Sequence, residues 1–102
     1  MNSQAALDAL GDPSRRSIVE LLGTGPMAVG EIADQLPISR PAVSRHLRLL
    51  GEAGLVAHRA VGTRNLYELR AEGIEAVQAY FRSVWGEAAA RFTLLAENTP
   101  ER

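Results

Sequence analysis

Apolar residues along this chain recur mostly at helical spacing, and the pattern gives way to strand-like alternation only after Gly54. Two apolar stripes lie close together: Val29, Ile32, Ala33 and Leu36, then Val43, Leu47 and Leu50 at steps of four and three. Only Pro37 and Ile38 separate the first stripe from Ser39. The Ser39 hydroxyl is placed to cap a following helix, and Pro41 sits early enough for its missing amide hydrogen to cost little. The spacing predicts a helix, a tight turn and a second helix over about residues 28–54, with Gly51 and Gly54 as stop signals. The face of the second helix opposite its apolar stripe carries Arg40, Ala42, Ser44, Arg45, His46 and Arg48 and is expected to point outward.

Residues 55–70 read as two strand-like runs around Gly62 and Thr63, with Tyr67 and Leu69 on one face of the second run and Glu68 and Arg70 on the other. Upstream, a short helix through Leu7 and Leu10 precedes a clearer one that starts at an Asp12 cap with Pro13 in its first turn. That helix buries Ile18, Leu21 and Leu22, ends at Gly23, Gly25 and Pro26, and exposes Arg15 and Arg16 in its first turn, read as solvated cations, with phosphate contacts as the alternative. From about 72 to 97 the chain predicts one long helix whose apolar positions are Ile74, Val77, Phe81, Val84, Trp85, Phe92 and Leu95, with Ala88 in the gap. This near-heptad stripe exceeds what a small core needs, so a partner is expected to cover it. The simplest partner is a second copy, joined through Leu7 and Leu10 of the first helix and Val77, Phe81, Val84, Trp85, Phe92 and Leu95 of the last. The alternative is that the last helix folds back on its own domain.

A helix-turn-helix followed by a basic-tipped hairpin is a winged helix, a mainly α fold of about five helices with a two-stranded wing. Such a fold sets its second helix in the DNA major groove and its hairpin against the backbone or minor groove. Net charge changes this picture only once it is located. The chain carries −1 overall, with no Lys and no Cys. Residues 39–70 hold six Arg against two acids, a local +4, and the rest of the chain holds five Arg against ten acids, a local −5. Positive charge is thus concentrated on the expected reader.

Over the 102 residues one modest core and a single domain are expected. No apolar run approaches membrane-spanning length, and MNSQAALDAL lacks the pattern of a signal peptide, so a cytoplasmic protein without a membrane partner is expected. An enzyme is not expected: the inventory is two His and scattered carboxylates, with neither a nucleophile paired to a base nor a Gly-rich phosphate loop.

Over essentially its whole length the chain resembles the ArsR family of small winged-helix repressors. LGDPSRRSIVELL resembles the family's second helix, VGEIADQLPISRPAVSRHLRLLGEAGLV its helix-turn-helix, and GTRNLYEL its wing. The resemblance implies a homodimer, held by its first and last helices, on a pseudo-palindromic operator near its own promoter. It places Ser39, Arg40, Pro41, Ser44, Arg45 and His46 at or near DNA and Arg59 and Arg64 on the wing; Arg48, on the same helix face, joins that set. Metal-sensing members carry Cys pairs in the helix that here reads GEIADQL, or His and carboxylate ligands on the last helix. This chain has neither, so it is similar to a cysteine-free branch, with no metal or other cofactor expected. The function expected is repression, including autorepression, by promoter occlusion. The alternatives are a winged-helix module that binds protein partners and a regulator responsive to an unidentified small molecule.

Overall fold

The computed structural model describes the backbone of residues 3–97 and the side chains of residues 3–92. In chain order the elements are α1 (Ser3–Ala9), α2 (Pro13–Leu22), α3 (Val29–Gln35), α4 (Arg40–Glu52), β1 (Val56–Val61), β2 (Arg64–Leu69), α5 (Ala71–Phe81), a π-helical turn (Arg82–Gly86) and α6 (Glu87–Glu97). Helical backbone angles persist through Phe81, Arg82 and Glu87, so the last three segments form one helix with a widened turn inside it.

Local chemistry starts the two central helices where the sequence says it should. The Asp12 carboxylate accepts from the Arg15 amide at 3.0 Å and the Ser39 hydroxyl from the Ala42 amide at 3.3 Å, each with a proline in the first turn. Helix α3 starts differently, with Glu31 reaching back to accept from the Ala28 amide at 2.9 Å. Helix α4 runs through Gly51 and stops at Glu52, so the glycine that ends it is Gly54, whose φ of 81° suits a residue without a side chain.

Burial follows the stripes closely. Ile18 of α2, Ile32 of α3, and Val43, Leu47 and Leu50 of α4 meet Leu55 in a core from which water is excluded. In α1 the inward residues are Ala6 and Ala9; Leu7 is half-buried and Leu10 packs against the core edge. Leu21, expected in the buried stripe, is only partly covered.

Arg15 is half-buried, contrary to expectation, whereas Arg16 stays exposed as expected; both nevertheless bond to backbone carbonyls. Arg15 Nε donates to the Ala9 carbonyl at 2.6 Å, and Arg16 Nη1 donates to the carbonyls of Leu10 at 2.9 Å and Gly11 at 3.3 Å. The carbonyls left unpaired where α1 ends are the reason: a guanidinium six residues downstream satisfies them better than water does.

The hairpin is antiparallel, in register from Val56↔Leu69 to Val61↔Arg64, and Gly62 with φ 63° makes its two-residue turn. Its inner edge is extended by one residue that the hydrophobic pattern did not announce. Met27 donates to the Tyr67 carbonyl at 3.0 Å and accepts from the Tyr67 amide at 2.8 Å, fastening the hairpin to the loop before α3. After β2 the chain passes under the end of α4. Gly73 lies so close to Gly54 that a Cβ there would overlap the Gly54 carbonyl oxygen.

Helix α5 packs on α1, and Val77 is partly buried against the chain's own core. Beyond that point the helix leaves the body. The extents are 64 × 28 × 22 Å, and the radius of gyration of 18.0 Å exceeds the roughly 13 Å of a compact chain of this length. Phe81, Val84, Trp85 and Phe92 lie exposed along this projection, with Phe81 stacked on Trp85 at 5.1 Å and Tyr80 edge-on to Phe81 at 5.9 Å. The side chain of Leu95 falls outside the described residues. No described helix is long and apolar enough to cross a membrane.

Candidate nucleic-acid interface

The basic surface is built on α4 and the hairpin. Because Val43, Leu47 and Leu50 bury one side of α4, the opposite side presents Ser39, Arg40, Pro41, Ser44, Arg45 and Arg48 to solvent. The arginines differ in what holds them. The Arg40 guanidinium lies over Gly30 of α3, where a Cβ would meet it at 3.1 Å, and so packs the two helices across their turn. Arg48 pairs with Glu52 one turn on at 3.0 Å. Arg45 has neither hydrogen bond nor ion pair among the described residues and extends into solvent.

His46 does not join this face. It is 8% exposed, and its Nδ1 lies 3.5 Å from Arg15 Nη1. The outward orientation read from the sequence is therefore corrected at this position. Positions 43, 46, 47 and 50 form the complete i, i+3, i+4, i+7 face of a buried helix, so the spacing already placed residue 46 inward; its polar identity argued the other way. Arg15 thus touches the end of α1 and the buried side of α4 at once. Beside it, the Asp12 carboxyl is held below its ordinary pKa, chiefly by the Arg15 amide, with the charges of Arg15 and His46 acting in the same direction against desolvation.

On the hairpin, Arg59 pairs across the strands with Glu68 at 3.2 Å. At the turn Arg64 reaches back to α3 and pairs with Glu31, the carboxylate that also caps that helix. The wing tip is thereby tied to the first helix of the helix-turn-helix, a link of 33 positions that no spacing rule reveals. His58 lies 3.2 Å from the Asn65 side chain through Nδ1 and 5.3 Å from the Tyr67 ring. Between α4 and the hairpin a cleft of about 370 Å³ is lined by Ser44, Leu47, Arg48, Gly51, Val56, Ala57, His58 and Tyr67.

Among the described residues no three His, Cys, Asp or Glu side chains converge on a point, and the two His are spent on Arg15 and Asn65.

Helix-turn-helix and basic hairpin together define a winged-helix DNA-binding protein. A helix-turn-helix domain family model matches residues 10–59. The chain is 45% identical over 93 residues, covering 91% of it and 87% of the relative, to the HTH-type transcriptional regulator Rv2034 of Mycobacterium tuberculosis. To the transcriptional repressor SdpR of Bacillus subtilis it is 39% identical over 61 residues, covering 60% of this chain and 68% of that one. Its fold matches the homodimeric winged helix-turn-helix DNA-binding domain of Mb0332 from Mycobacterium bovis, a possible ArsR-family regulator. The TM-score there is 0.67 at 31% identity, covering 82% of this chain and 78% of that one. The chain belongs to the ArsR family of winged helix-turn-helix transcriptional regulators, proteins that bind DNA and are not enzymes.

Proposed function

We propose that the chain is a homodimeric repressor that occludes a promoter by binding a pseudo-palindromic operator, its own promoter included, in the cytoplasm. The observation that carries this reading is the solvent face of α4 around Arg45, flanked by the arginine-bearing hairpin. Ser39, Arg40, Pro41 and Arg48 approach the backbone at the groove edge, where a guanidinium or hydroxyl meets phosphate without regard to sequence. Ser44 and Arg45 reach base edges, with Arg45 placed for a bidentate contact to guanine. His46, being buried, serves the reader by fixing α4 against Arg15 and not by touching a base. Arg59 and Arg64 bind phosphates beside the groove.

The dimer is joined through Leu7 of α1 and Leu10 just after it, and through Val77, Phe81, Val84, Trp85, Phe92 and Leu95 of the last helix, with Leu10 and Val77, which also pack on their own core, at the inner margin of the seam. The exposed aromatic run supports it, because an apolar surface of this extent in water is covered in a stable assembly. It is also supported by the homodimeric state of the Mb0332 domain. Two-fold symmetry then presents two α4 helices to one face of a duplex, about 34 Å apart or a multiple of it.

Selecting bound fragments from the source genome tests reader, dimer and function together. Paired half-sites whose centres lie about 10 base pairs or a multiple apart, overlapping promoter elements, are expected. Recovery of single half-sites would remove the two-fold reading. A module that binds protein partners instead predicts no salt-dependent DNA affinity at all.

A further inference from the structure

Three of the interface arginines already have an anionic partner in the absence of DNA, and each partner comes from a different place in the fold. Glu52 faces Arg48 from the next turn of α4 at 3.0 Å, Glu68 faces Arg59 from the opposite strand at 3.2 Å, and Glu31 faces Arg64 from α3. All six side chains remain at least 38% exposed, so the pairs are weak enough to exchange. A carboxylate accepts from a guanidinium with the same two-oxygen geometry that a phosphate offers. We infer that Glu31, Glu52 and Glu68 are internal phosphate mimics: they occupy the backbone-binding arginines and hold down the protein's affinity for DNA of any sequence.

This inference rests on the DNA-binding reading and adds a cost to it. Each phosphate contact made by Arg48, Arg59 or Arg64 competes with a carboxylate for the same guanidinium, and that carboxylate remains near the polyanion. Arg45 has no such partner among the described residues, so its base contact bears no exchange cost. Random DNA, bound almost wholly through phosphates, is thereby held weakly, and on the operator the base contacts are added to the same screened backbone term. Glu31 is tied most firmly, because its carboxylate also caps α3.

The test is a set of single substitutions, Glu31→Gln, Glu52→Gln and Glu68→Gln, in the full chain, with binding to random duplex and to the selected operator measured across a salt series. Gln at position 31 keeps an oxygen for the Ala28 amide, and positions 52 and 68 cap nothing, so folding is retained and is checked by thermal melting. Each change is expected to tighten binding to random duplex about 2- to 5-fold. Operator affinity should rise by the same factor, and the salt slope should steepen by up to about one unit per subunit. Glu75→Gln, on the outer side of α5, changes net charge equally without touching an interface arginine and should leave affinity within error. Unchanged or weaker binding in the three variants would overturn the screen and make the carboxylates mere positioning partners. An equal gain in Glu75→Gln would reduce the effect to net charge. Were the parent chain to show no salt-dependent DNA affinity, the DNA-binding reading itself would fall, whereas a parent that binds while its variants match it removes only the screen.

Discussion

Arg45 stands apart from the other arginines of the interface because no described residue holds it. A guanidinium left free on the outer face of a reading helix keeps its donors for a base edge. Arg45→Ala is expected to lose roughly 1 to 3 kcal/mol on the cognate operator and to relax preference at one base pair per half-site. Titrations against single-base operator variants check it; an equal loss on random duplex would reassign Arg45 to a phosphate. Asp12 offers a different handle. Its folded pKa is depressed, so its contribution to stability is present above the ordinary carboxylate pKa and is lost as pH falls through the folded value. Asp12→Asn keeps a cap but no charge, so the stability gap between the two proteins should be open at pH 7 and should close as pH falls below the ordinary carboxylate range, as read from urea midpoints. The caps at Asp12 and Ser39 were legible in the sequence because they depend on neighbours within three residues. His46 and Arg15 were not, because their contact joins residues 31 positions apart and a polar side chain on an apolar face reads as solvated.

Elements were legible wherever periodicity specifies them. Helices α2 to α4 and the hairpin fall where the apolar spacing placed them, since each buries one face against the others. Two features escaped. The Met27 bridge to Tyr67 is a single residue long and has no period, and the π-helical turn at Arg82–Gly86 lies within an unbroken helical pattern. The wing makes the most direct prediction at this scale. Arg59→Ala or Arg64→Ala should weaken binding to all sequences alike and flatten the salt slope by about one unit per subunit, measured by anisotropy from low to high salt. A slope unchanged in either variant removes that arginine from the phosphate contacts. Where β2 hands over to α5, Gly73→Ala forces the helix away from the Gly54 carbonyl. The expected cost is about 1 to 3 kcal/mol of stability, in spite of the better helix propensity of Ala, and chemical denaturation reads it.

At the scale of the molecule the chain is too long for its mass, and its surplus length is the last helix. The near-heptad stripe announced that helix, yet it could not say how far the helix would depart from the body, since apolar spacing is the same whether the cover is intramolecular or another copy. Val77 shows both answers in one element: it packs inward, while Phe81, Val84, Trp85 and Phe92 face solvent. Phe81→Glu places charge in the middle of the exposed aromatic run and should yield monomers by light scattering, with operator affinity reduced towards that of random duplex. A dimer retained in that variant would move the seam elsewhere.

The contact between Gly54 and Gly73 turns this architecture into a lever. One glycine ends the reading helix and the other lies in the first turn of the last helix, with no side chain between them to act as a spacer. From that fulcrum the arm runs to Glu97, about 36 Å of helix at 1.5 Å per residue. A swing of about 5° at the fulcrum carries the far end roughly 3 Å, close to the 3.4 Å step between bases on a strand. In the proposed dimer, whatever tilts this joint moves the two readers out of phase with the duplex without altering a single residue that touches it.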